Sequence, residues 1–298
     1  MSTSRILIVG LDSGLGAETA KNMVLAGIGC VCVIDDRKSE GKHLTSQFLI
    51  KKEDVIASKP LADASLQSLR DLNPLVEVRV LEGSAETVAD RLTDQELSSF
   101  LCVVASDLST PAAVKLSSRL HQLHVPHFFC FSFGYSAVIF EDLTSSYTYT
   151  QTRKFVGRES QEETHSIKYC NLFDAITAEH VNLSSKNTSS SLFAWQALLG
   201  SEAVSSSSSS SITCEQFLSG RMQRNPATPS VYKKDEILLS IEQLSNSRRD
   251  SLAPVCAVIG GMVGQEIVKV ISRRDEPINN IFMFESMGSG GTLQRLGL

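Results

Sequence analysis

An α/β fold, with a mainly parallel sheet and helices on both faces, is predicted by three features of this 298-residue sequence. The first 36 residues run strand, glycine loop, helix, strand. Aliphatic runs then alternate with helical stretches as far as residue 133. Hydrophobic residues make up 42% and charged residues 20%, the balance of a chain with a large core. Length would allow two domains, but α/β chains of this size are often one unit, so a single domain over 1–298 is expected.

Taken in order, Arg5 to Gly10 (RILIVG) is an aliphatic run of the kind that forms a buried parallel strand. Glu18 to Ala26 has helical spacing, with Gly27 as its stop. Cys30 to Ile34 (CVCVI) is a second buried strand, and the unit so formed is βαβ, the start of a Rossmann-like fold. Gln47 to Ile50 reads as a short helix or loop. Leu61 to Leu72 is a helix stopped by Asn73-Pro74. Val76 to Leu81, Leu101 to Ala105 and His127 to Phe133 are strands, and Ala112 to Leu123 is a helix ended by Pro126. Beyond residue 140, Tyr147 to Tyr149 and Ile167 to Cys170 read as short antiparallel strands. Seven consecutive serines, 205–211, cannot bury a core and predict a flexible loop within a variable insert near 145–230. Short helices at Leu192 to Leu199 and Cys214 to Arg224 flank it. Helical periodicity returns at Asp235 to Leu244 and in the apolar segment Ala257 to Ile271, before a strand at Asn280 to Phe284.

Several functions are disfavoured at once. The formal charge of −5 argues against a main role in gripping nucleic acid phosphates. No apolar run reaches 18 residues, and MSTSRILIVG lacks the length and flanks of a secretory signal. The seven cysteines are odd in number and mostly within apolar runs, as expected for free thiols in a reducing compartment. No CxxC pair is present. Cys214, outside the apolar runs, lacks any motif of a reactive thiol. His121, His124 and His127 are spaced by three, but Pro126 separates the last, and no metal site is expected.

Gly10, Gly14 and Gly16 lie between the first strand and helix, where small residues let the backbone approach a phosphate. Asp35 ends the next strand, 19 residues after Gly16, where a carboxylate can bond a ribose hydroxyl. Equally, the glycines can serve tight strand–helix packing alone. The G-x-x-x-G-x-G spacing resembles that of the short-chain dehydrogenases, which would imply an NAD(P)-dependent oxidoreductase. That chemistry needs a lysine four residues after a tyrosine. The five tyrosines are followed there by Ile139, Gln151, Arg153, Phe173 and Glu236.

A second resemblance covers more of the chain. Gly14-Leu-Gly16-Ala-Glu18, Asp35, Gln47-Phe-Leu-Ile50, Leu72-Asn-Pro-Leu-Val76-Glu-Val78 and Ser106-Asp107 resemble segments of E1-like adenylation domains (ThiF/MoeB-type). This family activates ubiquitin-like proteins. The tail Pro254 to Val270, with Asn279 to Phe284, carries the likeness furthest. With Phe131 to Tyr135 and Ile167 to Cys170, it points to the smaller, non-catalytic subunits of the SUMO-activating branch. The resemblance implies that Gly10, Gly14, Gly16 and Asp35 mark a nucleotide-like loop and Asp107 the place of a Mg²⁺-site aspartate.

Departures from the pattern bear on mechanism. Active relatives carry Asn and Arg where this chain has Thr45 and Ser46, and a lysine where it has Ala57. Losing cations aimed at a phosphate removes transition-state stabilisation. The loop also holds one extra residue and an acid, Asp12. The resemblance therefore implies a degenerate site that binds no cofactor firmly. ATP and Mg²⁺ are expected in a larger catalytic subunit that adenylates SUMO and carries the thioester cysteine. Another modifier such as NEDD8 is the alternative. A family arginine that reaches into the partner has Arg5 as its sole counterpart ahead of the first strand. Neither nucleic acid nor membrane is expected as a partner, and the resemblance implies a nuclear, with some cytoplasmic, location.

Overall fold

The computed structural model describes residues 3–153, 161–179, 189–207, 212–224, 234–288 and 290–297. Its elements are β1 (Arg5–Val9), α1 (Gly14–Leu25), β2 (Cys30–Ile34), α2 (Lys52–Ile56), α3 (Leu61–Leu72), β3 (Glu77–Val80), α4 (Val88–Arg91), α5 (Asp94–Ser98) and β4 (Cys102–Ser106). They continue with α6 (Thr110–Gln122), β5 (His127–Phe133), β6 (Ser136–Asp142), β7 (Tyr147–Arg153), β8 (Gln161–Ile167), α7 (Leu172–Thr177), α8 (Ser190–Ser207) and α9 (Cys214–Arg224). The last are α10 (Lys234–Asn246), α11 (Ala253–Ser272), β9 (Ile281–Glu285) and β10 (Gly290–Gln294).

Eight strands form one sheet in the order β3-β2-β1-β4-β5-β6-β9-β10. The first five are mutually parallel, and β6, β9 and β10 join by antiparallel pairing. β7 and β8 form a separate antiparallel pair. Alternation along β1 explains the two-sided core. Ile6 and Ile8 pack with α1, α3 and α11, while Leu7 and Val9 pack with α6, α7 and α8 on the other face.

Local chemistry accounts for the ends of these elements. Ser13 caps α1 by accepting from Leu15 N at 3.3 Å. Asn73 ends α3 ahead of Pro74, its Nδ2 reaching Val24 O at 3.1 Å. The apolar α11 crosses α1 at Gly260, where a Cβ would sit 2.5 Å from Glu18 Cβ. By length and composition α11 could span a membrane, but Ile259, Val263 and Ile267 are fully buried in the core.

Three sequence expectations need correction. Ile167 to Cys170 is not a strand: β8 ends at Ile167, and Tyr169 and Cys170 are buried in the turn toward α7. β6 and β10 went unread, since Ser136–Asp142 is apolar with no turn signal before it except Gly134. The segment 145–230 is not merely a small insert. Trp195, on α8, is fully buried and lies 6.3 Å from the Phe131 ring, so this helix forms part of one core layer. Ser205–Ser207 belong to its last turn, where Ser205 Oγ accepts from Ile212 N at 2.9 Å. Ser208 to Ser211 lie outside the described residues. Gln47 to Ile50 follows a short 3-10 turn, Gly41–Thr45, and is itself irregular.

Candidate functional site

The chain reverses its direction of growth across the sheet between β1 and β4, the point at which α/β folds open a crevice beyond the strand ends. A cleft of about 340 Å³ lies there, lined by Asp12, Lys42, His43, Thr45, Ser46 and Arg248 to Ser251. Gly10, Gly14 and Gly16, in and after the loop that carries Asp12, are each held in a tight approach. Gly10 has φ 91°, and a Cβ on it would stand 2.5 Å from Ser106 O. A Cβ on Gly16 would stand 2.1 Å from Gly10 O, and one on Gly14 2.8 Å from Ser46 O. Packing alone thus accounts for all three glycines.

The loop's polar groups are turned on one another. Asp35 is 1% exposed and accepts four bonds. Leu11 N lies 2.6 Å from Oδ2, Arg37 N and Nε lie 3.1 and 2.8 Å from Oδ1, and Arg37 Nη2 lies 2.5 Å from Oδ2. A ribose hydroxyl would have to displace a bidentate guanidinium. Arg37 Nη1 also reaches Asp12 at 3.3 Å. His43 Nδ1 accepts from Glu40 N at 2.8 Å, which leaves Nε2 to donate to Asp12 Oδ1 at 2.8 Å. That His43 bond, with Arg37 and Lys42 adding to it against the opposing effect of burial, lowers Asp12 to a pKa of about 2. The acid in the glycine loop is therefore an anchored anion in place of a free one. Gly14 N at the start of α1 is likewise taken, by Ser251 Oγ at 3.0 Å.

Asp107 lies at the end of β4 in a left-handed conformation, φ 50°. Its carboxylate is buried, accepting from Ser132 N at 2.7 Å and Ser132 Oγ at 2.8 Å, with the hydroxyl of the α1 cap Ser13 also against it. Burial pushes its pKa up, with these hydrogen bonds opposing. Thr45 and Ser46 line the cleft, whereas Ala57 caps α2 as an exposed residue outside that lining. Nearby Lys59 pairs with Asp54 at 2.7 Å. Arg5 begins β1, at the far end of the strand and about 16 Å from Gly10 at ~3.3 Å per residue. There its guanidinium lies 4.6 Å from the Phe100 ring. The structure thus places Thr45 and Ser46 in the cleft lining, ties Gly14 to it through Ser251 and Asp35 through Arg37 and Asp12, buries Asp107 between Ser132 and Ser13 of the glycine loop, and leaves Ala57 and Arg5 elsewhere.

Arg37, His43 and Ser251 escaped the sequence reading. The one available signal was Arg37, two residues after an acid that ends a strand. Arg248 and Arg249 enter the cleft from a segment 200 residues away. Arg248 ion-pairs with Glu202 and gives Nη2 to Thr110 Oγ1 at 2.9 Å, and Arg249 reaches Glu86 at 3.3 Å. Nothing local could reveal them.

Other candidate groups have structural partners. Six cysteines are buried free thiols, and half-buried Cys214 lies 3.2 Å from Ser201 Oγ. His121 bonds Asp142 at 2.7 Å, His127 lies in the core with its pKa lowered by burial, and His124 is exposed. Among the described residues no group of three His, Cys, Asp or Glu side chains is placed to hold a metal.

The ThiF family model matches residues 1–296. SUMO-activating enzyme subunit 1 of Homo sapiens is 30% identical over 321 residues, which cover 100% of this chain and 90% of that protein. The Xenopus tropicalis protein of the same name is 29% identical over 340 residues, with the same coverage. Among solved structures, PaaA superposes with a TM-score of 0.57 at 15% identity, covering 99% of this chain and 73% of that one. E. coli MccB gives 0.57 at 14% identity, with 99% and 64% covered. At these identities the two structures speak to the fold.

Proposed function

The chain belongs to the ThiF family, and from that premise we propose that it is the non-catalytic, pseudo-adenylation subunit of a heterodimeric SUMO-activating enzyme. The observation that carries this reading is that the polar groups of its own glycine loop are already paired with one another. Both oxygens of Asp35 are occupied, chiefly by Arg37, and an internal carboxylate, Asp12, is fixed in the glycine loop. Thr45 and Ser46 bring no positive charge to that cleft. Similarity to SUMO-activating enzyme subunit 1 over the full chain supports the same reading.

In this proposal ATP and Mg²⁺ bind a larger partner, which forms the SUMO adenylate and carries the thioester cysteine. This chain completes the two-subunit adenylation unit, in the nucleus and to some extent in the cytoplasm. No step of the chemistry runs through its own loop. The test is a tagged pull-down from its native cells, followed by ATP–pyrophosphate exchange with the recovered complex. A stoichiometric larger protein and SUMO-dependent exchange by the complex, with none by this chain alone, are the expected results. SUMO-dependent exchange by the isolated chain, or recovery without such a partner, overturns the proposal.

A further inference from the structure

At the opposite end of the sheet from the cleft, Cys30 and Cys32 lie on one face of β2 with their sulfurs 3.8 Å apart. Strand register sets three charged residues around them on the same face: Arg5 beside Cys30 on β1, and Glu77 and Arg79 beside Cys30 and Cys32 on β3. Arg5 Nε stands 3.4 Å from Cys32 Sγ, and Arg79 Nε bonds Glu77 Oε1 at 2.6 Å.

Distance discriminates between the possible fates of such a pair. A disulfide needs the sulfurs at about 2.05 Å, and residues two apart on a strand, ~6.6 Å between Cα atoms, sit at the upper limit of disulfide span. One atom bonded to both sulfurs by ~2.3 Å bonds at the roughly 95–100° angle of a pyramidal trivalent centre holds them about 3.4–3.5 Å apart, a few tenths of an ångström closer than they stand, which side-chain rotation supplies without movement of the strand. Charge then selects the atom. Two guanidinium groups against one carboxylate make the surroundings unfavourable to a divalent cation. Burial, with the Cys32 thiol second, pushes Cys30 up to about 12, so that thiol offers no negative charge to draw one. Cys30 opens the strand and keeps 8% exposure, whereas Cys32 is fully enclosed, so entry is from the Cys30 side.

We propose that Cys30 and Cys32 form a chelating dithiol site for neutral trivalent arsenicals. With phenylarsine oxide as the probe, two S–H bonds break and two As–S bonds form. The arsenic-bound oxygen leaves with both protons as water, and no oxidation state changes.

The experiment treats the full chain with phenylarsine oxide, alkylates under denaturing conditions, and maps the protected cysteines by mass spectrometry. One equivalent should protect Cys30 and Cys32 together. Release should require dimercaptopropanol, an excess of monothiol leaving the adduct intact. C30S and C32S should each weaken retention by about 100-fold or more, the gain expected from linking two binding groups. Absence of an adduct, an adduct mapped to other cysteines, or unchanged retention in both variants overturns the site. Protection of the pair by zinc or cadmium at lower concentration than the arsenical overturns the choice of a neutral ligand. Should either variant fail to fold, mapping on the unaltered chain still decides.

Discussion

The Arg37 guanidinium lies alongside the Asp35 carboxylate, Nε 2.8 Å from Oδ1 and Nη2 2.5 Å from Oδ2, while its remaining nitrogen reaches Asp12 at 3.3 Å. One side chain thereby joins the end of β2 to the glycine loop. Arg37→Ala would leave Asp35, 1% exposed, with only backbone donors. The expected loss is about 3 kcal/mol, as for a buried ion pair stripped of one partner. Urea denaturation measures it, and a change under about 1 kcal/mol would show that the backbone amides of Leu11 and residue 37 satisfy Asp35 without the guanidinium.

Adjacent glycines in α11 should behave in opposite ways. A Cβ on Gly260 would lie 2.5 Å from Glu18 Cβ and 3.1 Å from Thr19 N, atoms of a packed helix with no room to retreat. One on Gly261 meets nothing within 4 Å. Gly260→Ala should cost about 1–3 kcal/mol through overpacking. Gly261→Ala should stabilise by roughly 0.5–1 kcal/mol through helix propensity. Thermal melts of the two variants give the comparison, and equal shifts would mean that α1 and α11 do not cross here.

Trp195 tests whether α8 is part of the core. The side chain is fully buried against Phe131, yet its indole N–H has no hydrogen-bond partner among the described residues. Trp195→Ala should cost about 3–5 kcal/mol. Trp195→Phe should cost far less, because the lost N–H bonded nothing. A mild effect of the alanine variant on denaturant midpoint would show that α8 can detach without loss of the sheet.

Glu141 supplies a pH test. It is the next-to-last residue of β6 and fully buried, with the Glu266 carboxyl against it. The groups around it are Glu266 and Lys269 of α11, Asp142 beside it on β6, and the phenols Tyr147 and Tyr169. Glu266 is itself engaged, by Lys269 Nζ at 2.7 Å and Ile278 N at 3.0 Å. Burial first, and Glu266 second, raise the Glu141 pKa well above 4.5. A raised folded-state pKa gives stability that is complete below the unfolded value and is lost as pH rises through the folded one. Glu141→Gln should therefore match the parent chain near pH 4 and exceed it in stability at pH 8. Parallel stability–pH curves for the two proteins would refute the assignment of a buried, protonated acid.

How much of this was legible beforehand follows from where each signal lies. ILIV, CVCVI and LCVVA announce parallel strands because both of their faces are buried, so every residue is apolar. α3 was read to the residue as Leu61 to Leu72, with Asn73-Pro74 as its stop. The antiparallel edge was harder to read. β6 follows β5 after only Gly134-Tyr135, and the two runs merge into one apolar stretch. β10, GGTLQ, has neither the composition nor the alternation of a strand, and pairing with β9 alone makes it one.

The sequence by itself determined the doubly covered parallel half of the sheet and the place of the glycine loop. Those depend on patterns local to the chain: runs of one polarity, helix stops, and a glycine cluster between a strand and a helix. Tertiary structure decided what that loop can do. Whether Asp35 meets a ribose or a guanidinium depends on the rotamer of Arg37. Whether the first amide of α1 is open depends on Ser251, 237 residues away. Such contacts form between segments with no common pattern, and only packing brings them within hydrogen-bonding distance.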